Sequence, residues 1–160
     1  MQRPEIKTIE NLEAAFAGES MAHIKYRYFA RIARSLGDGE TARIFEETAD
    51  QEVQHAFGHL DLLYPKAELT SARCLEMAIA GETYEYTEMY PRFRETAIAE
   101  GNGAAAREMG EQITESREHA QRFAAVLEKA AKRFAALAKV EERHANQYRA
   151  ALAQAEQAAA

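Results

Sequence analysis

Apolar residues in this chain recur at intervals of three and four, the spacing that lines one face of an α-helix, and nowhere alternate as in a half-buried strand. One stripe reads Leu12, Phe16, Tyr26, Ala30 and Ala33, with Glu19 and His23 on it. A second carries Ile44, Thr48 and Leu62 with Glu52, His55 and His59, and a third carries Leu75, Ile79, Tyr86, Met89 and Phe93 with Glu82. Gly37-Asp38-Gly39, Tyr64-Pro65 with the polar stretch to Thr70, and Gly101-Asn102-Gly103 break the pattern, and no Gly or Pro follows Gly110. The spacing predicts helices over 5–36, 40–63, 71–100 and 104–157. A hydroxyl at Thr70 or Ser71 can cap the third, and Pro91 predicts a kink within it. Short connections make the first two and the last two helices antiparallel neighbours. The expected fold is therefore all-α, an antiparallel four-helix bundle with an extended C-terminal helix, in a single domain over 1–160.

Two repeats run through this pattern. Residues 12–20 match residues 75–83 at an offset of 63, which carries Glu19 onto Glu82 and Glu52 onto Glu115. With a one-residue gap, His55 falls on His119. The chain thus reads as two related helical hairpins. The last helical region also repeats itself, Ser116 to Phe123 resembling Glu141 to Tyr148 at an offset of 25. That offset returns to nearly the same helix face about 37 Å further along a straight helix.

Composition removes several function classes. Acidic residues outnumber basic ones 26 to 20, so no basic face for nucleic acid is indicated. No apolar run approaches a membrane span, and the N-terminal residues lack the apolar centre of a signal peptide. The single cysteine, Cys74, forms neither an internal disulfide nor a cysteine metal knuckle, and a cytoplasmic location is expected. Cys74 is expected to be a buried small residue and the methionines to fill the core.

The chemistry lies in the glutamates on apolar stripes. Glu52 with His55, and Glu141 with His144, are each a carboxylate and an imidazole three residues apart, projecting from one helix face. Two such helices, with one glutamate from each of two others, make a carboxylate two-metal site. Glu19 and Glu82 supply the single glutamates, and Glu85 adds a carboxylate one turn beyond Glu82. Several ionised carboxylates sharing an interior require a cation. Oxygen-rich ligands with two imidazoles suit iron or manganese better than zinc or copper. His23 and His59 read as satisfied core or supporting groups, not ligands.

Ala-Phe-Ala-Gly18-Glu19-Ser, the stretch from Ala78 through Gly81-Glu82-Thr-Tyr-Glu85 to Tyr90-Pro91, and Ala-Lys-Val-Glu141-Glu-Arg-His144-Ala resemble the rubrerythrins, in particular the symerythrin branch. The resemblance implies a ferritin-like fold and a di-iron centre. Glu19, Glu52, Glu82 and Glu141 would be ligands, Glu52 and Glu141 bridging, with His55 and His144 each facing one iron. The position of Glu85 would belong to a carboxylate that exchanges with a histidine as the iron changes redox state. Tyr26 and Tyr90 would hydrogen-bond near the bridges. There are two departures. A rubredoxin domain needs four cysteines and this sequence has one, so a separate donor such as a rubredoxin or ferredoxin-type protein is implied. And Ser116 stands where the glutamate of the last helix is expected, the intact motif arriving 25 residues later. Either the chain bends or swaps near 128–133 so that Glu141 and His144 coordinate, the favoured reading, with Glu115 a candidate extra ligand, or Glu115 and His119 coordinate and the later motif has another role.

The expected activity is reduction of hydrogen peroxide to water, with Glu85 as the catalytic proton donor and a homodimer as the working form. Two alternatives stand beside it. One is a ferroxidase or O₂-activating oxidase that handles iron, and the other is a non-enzymatic helical interaction module.

Overall fold

A computed structural model of the chain describes residues 7–158. It consists of helices α1 (Thr8–Ser35), α2 (Gly39–Leu63), α3 (Ser71–Tyr84), α4 (Tyr90–Ala99) and α5 (Gly103–Ala158). A 3-10 turn, Lys66–Glu68, links α2 to α3, and a π-helical turn, Glu85–Met89, links α3 to α4. No strand occurs among the described residues, so the all-α reading holds. The helix ends agree with the pattern closely, except that the predicted start at residues 5 and 6 lies outside the described residues. The chain divides into two compact units between Leu69 and Thr70. In the first, α1 packs on α2; in the second, α5 packs on α3, the π turn and α4.

The two hairpin turns are built alike. Gly37 (φ 82°) and Gly101 (φ 72°) take the left-handed conformation that ends a helix. The next residue closes the turn in each case: the Asp38 N–H donates to the Ala33 carbonyl at 3.0 Å, and the Asn102 N–H to that of Ala97 at 2.8 Å. The same two residues then cap the following helix. Asp38 accepts from the Thr41 N–H at 3.0 Å and Asn102 from the Ala105 N–H at 3.1 Å. The Thr41 amide holds the Asp38 carboxyl below the usual carboxylate range. Thr70 is the cap of α3, accepting from the Arg73 N–H at 3.1 Å.

Alanines form the contact faces, because a methyl group lets two helix backbones approach closely. Ala30, Ala33 and Ala42 cluster against Phe45, with Ala49 and Ala56 also buried; Ala97 and Ala120 are buried in the second unit. His23 is satisfied as expected, its Nδ1–H donating to the Ala49 carbonyl at 2.7 Å. Each hairpin has one inner face, and many large apolar side chains lie outside it, among them Ile24, Phe57, Phe134 and Tyr148. Two expectations fail for that reason: Met21 and Cys74 are exposed, not core residues.

At Pro91 the expected kink takes the form of the π turn just before it. The Tyr90 N–H reaches back five residues to the Glu85 carbonyl, and Pro91, with no N–H to place, opens the first turn of α4. The bend expected near 128–133 is absent. That stretch is made of glutamate, lysine, alanine and arginine, all good helix formers, and α5 runs through it unbroken to Ala158.

Candidate metal centre

In the first unit α1 supplies Glu19, and α2 supplies Glu52 and His55 one helical turn apart. One ligand atom from each lies within 4.8 Å of the others. His55 Nδ1 is 2.9 Å from Glu52 Oε2 and 4.0 Å from Glu19 Oε1. The two carboxylates are largely shielded and the imidazole is more open. Without a cation, two such carboxylates repel across the helix contact.

The second unit repeats the arrangement with different donors. Glu82 on α3 faces His119 on α5, Oε1 to Nδ1 at 3.4 Å. Glu85 begins the π turn and its Oε2 accepts a 2.8 Å hydrogen bond from Ser116 Oγ on α5. Ser116 is 3% exposed. A cavity of about 430 Å³ lies against Glu82 and His119, walled by Arg122, Phe123 and Val126. The Tyr90 phenol is held above its ordinary value near 10, first by burial and then by the negative charge of Glu85, Glu82 and Glu108. Tyr26, its counterpart in the first unit, stacks obliquely on Phe45 with ring centroids 5.9 Å apart.

Not every predicted ligand joins these clusters. Glu115 is exposed and shares a surface hollow with Arg107 and Glu111. Glu141 and His144 lie 3.8 Å from each other, both exposed. Because α5 is continuous, they stand about 37 Å along the helix from Ser116 and His119, away from Glu82 and Glu85. Sequence reasoning missed the Ser116–Glu85 bond and the π turn, and admitted His119 only as an alternative. A signal was present. The repeat offset is 63 at Glu19 and Glu82 but 64 at Tyr26 and Tyr90, Gly37 and Gly101, and Ala56 and Ala120. The extra residue falls where the π turn absorbs it.

The donors present fit a metal. Glu82 Oε2 is buried with no hydrogen-bond partner, the one such side-chain atom among the described residues. A buried, unsatisfied carboxylate oxygen costs free energy that a cation removes. Carboxylate oxygens with one imidazole in each unit are the donor chemistry of iron or manganese.

The sequence profile of the rubrerythrin family matches residues 10–127. Rubrerythrin from Porphyromonas gingivalis is 37% identical over 132 residues, covering 76% of this chain and 66% of that protein. Rubrerythrin from Nitratidesulfovibrio vulgaris is 37% identical over 128 residues (73% and 67%), and nigerythrin from the same organism 36% over 130 (74% and 64%). This chain thus spans about two thirds of the length of these relatives. A solved structure of fully reduced nigerythrin aligns with 81% of this chain and 70% of its own, at 33% identity and a TM-score of 0.40. No described helix is long and apolar enough to cross a membrane. The profile match takes in both hairpins with Glu19, Glu52, His55, Glu82, Glu85 and His119, and on that ground the chain belongs to the rubrerythrin family.

Proposed function

We propose that this protein is a di-iron carboxylate oxidoreductase that reduces hydrogen peroxide to water, with electrons from a separate donor protein of the rubredoxin or ferredoxin type. The observation that carries this is the pairing of carboxylate and imidazole across facing helices in both units: Glu19, Glu52 and His55 in one, Glu82 and His119 in the other. Two iron ions held by these groups and Glu85 would supply the two electrons and the Lewis acidity that O–O cleavage requires.

The protein's own part is to hold the ligands, orient the oxidant and deliver protons. Reduction of one peroxide to two waters consumes two electrons and two protons. Glu85, oriented by Ser116, is the proposed carboxylic acid that gives a proton to the departing oxygen. His119 is preferred to the Glu141–His144 pair as the imidazole from α5, on the support of its 3.4 Å approach to Glu82. Glu115, exposed one turn before His119 on the same face of α5, is kept as a further candidate ligand.

The chain is further proposed to act in the cytoplasm, as one functional domain, and as a homodimer. The exposed stripe of Phe134, Leu137, Tyr148 and Leu152 on α5 is the surface offered to a second copy. Charge supports that occupant: residues 128–157 carry six basic and four acidic side chains, whereas residues 8–63 carry five basic and ten acidic ones.

The function is tested by reducing the iron-loaded protein without oxygen and mixing it with H₂O₂ or with O₂. Faster appearance of ferric absorbance with H₂O₂ supports the peroxidase reading. Faster oxidation by O₂ replaces it with a ferroxidase or oxidase.

A further inference from the structure

From residue 128 to residue 157, α5 has no buried side chain, and the family profile ends at residue 127. The sequence of this stretch nevertheless keeps a strict order. Positions 130, 134, 137, 141, 144, 148, 151 and 155 follow one another at alternating steps of four and three, the heptad seam of a coiled coil. Phe134, Leu137 and Tyr148 on this seam are 72%, 56% and 76% exposed, so the described residues leave it open. Its two polar members, Glu141 and His144, stand at its centre. They are 3.8 Å apart, Nδ1 to Oε2, beyond hydrogen-bond distance, and both are exposed.

We propose that residues 130–155 of α5 pair antiparallel with the same residues of a second copy, in the register that sets Glu141 against the partner's His144 and, by two-fold symmetry, His144 against the partner's Glu141. The inference deepens the homodimer reading above and rests on it. Charge selects the orientation and the register. A parallel pairing would set Glu141 against the partner's Glu141, and like charges facing each other across an interface repel. An antiparallel pairing slipped by one heptad would set Glu141 against the partner's Leu137 or the partner's Ala151, covering a carboxylate with apolar groups. In the proposed register it meets an imidazole. Shape agrees: Phe134 faces the partner's Ala151, large against small, and Leu137 faces the partner's Tyr148. Lys129, Lys132, Lys139, Arg143 and Arg149 all fall on the outer face of the heptads, so the pairing does not set them against one another. A polar pair inside an apolar seam fixes register at a cost in affinity, which gives the Glu141–His144 motif a use apart from the metal centre.

The test places a spin label at Glu142→Cys or at Lys129→Cys in the full-length Cys74→Ser chain and measures the distance between the two labels of a dimer by pulsed electron paramagnetic resonance. In the proposed register the two copies of residue 142 lie nearly level along the helix axis, and the two copies of residue 129 lie about 40 Å apart along it. The expected result is therefore a short distance at 142 and a long one at 129. In sedimentation analysis Glu141→Lys should weaken dimerisation about tenfold, and Glu141→Lys combined with His144→Glu should restore it, because the facing charges are again opposite. Circular dichroism should show the same helix content in all of these chains. Any other pattern of distances in a dimeric chain, or a Glu141→Lys chain that dimerises as tightly as the unaltered one, overturns this pairing and leaves the homodimer reading standing. An unaltered chain that stays monomeric at every concentration overturns both.

Discussion

His119 Nδ1 lies 3.4 Å from Glu82 Oε1 across the contact of α3 with α5, as His55 lies beside Glu19 across the contact of α1 with α2. The other oxygen of Glu82 is buried with no partner. A carboxylate in that state opposes folding unless a cation completes it. Glu82→Gln should therefore raise the melting temperature of the metal-free protein and remove most of the rise that Fe²⁺ gives the unaltered chain. Metal at a hundred times its dissociation constant stabilises a one-site protein by about 2.7 kcal/mol. Thermal circular dichroism with and without metal measures both effects, which have opposite signs.

The turn glycines make a purely conformational prediction. Nothing lies within 4 Å of where a Cβ would stand on Gly37 or Gly101. Alanine at either site meets no clash and must only hold a left-handed backbone. Each substitution should cost about 1 kcal/mol, with no change in metal content, as denaturant unfolding and metal analysis would show. A much larger loss at Gly101 alone would mean that the two turns are not equivalent.

Tyr90 should titrate above the ordinary phenol range in the metal-free protein, seen as the phenolate absorbance lost in Tyr90→Phe. Burial is the larger cause and the nearby glutamates the smaller. Glu85→Gln should therefore lower the midpoint but leave it above the ordinary value. The folded chain keeps this proton to higher pH than the unfolded chain. The associated stability is complete below about pH 10 and is lost as pH rises through the folded-state value.

Removing an anchor from the exposed α5 stripe tests the proposed dimer. Tyr148→Glu should shift the protein from dimer to monomer in light scattering while leaving its helix content unchanged, since Tyr148 is 76% exposed. If Glu141 and His144 are not ligands, Glu141→Ala and His144→Ala should each leave metal content unchanged. Loss of metal in either would reinstate the second motif as part of a centre.

Most of the helical framework was legible because its signals are local. Gly37, Gly101 and the Tyr64-Pro65 break fix the ends of helices, and the three-and-four spacing fixes their faces. Glu19, Glu52 and His55 were legible because each sits on an apolar stripe at helical spacing. The second unit was harder to read. An ExxH motif advertises Glu141 and His144, yet an unbroken helix carries them away from Glu82. The groups that do meet Glu82 and Glu85 are His119 and Ser116, and Ser116 has no motif. Its meaning comes from a residue 31 positions away, and from a π turn that no local propensity encodes. Exposure of Cys74 and Met21 was likewise not readable, because it depends on which face of a hairpin is covered and not on the residue type.

The account stands most directly on an anaerobic Fe²⁺ titration of the metal-free protein, followed by calorimetry and metal analysis. Two irons bound per chain, with stoichiometry reduced in both Glu19→Ala and Glu82→Ala, is the predicted result. A chain that binds no iron, or one that binds two irons unaffected by either substitution, would contradict the claim that the paired carboxylates and imidazole of each hairpin are metal ligands.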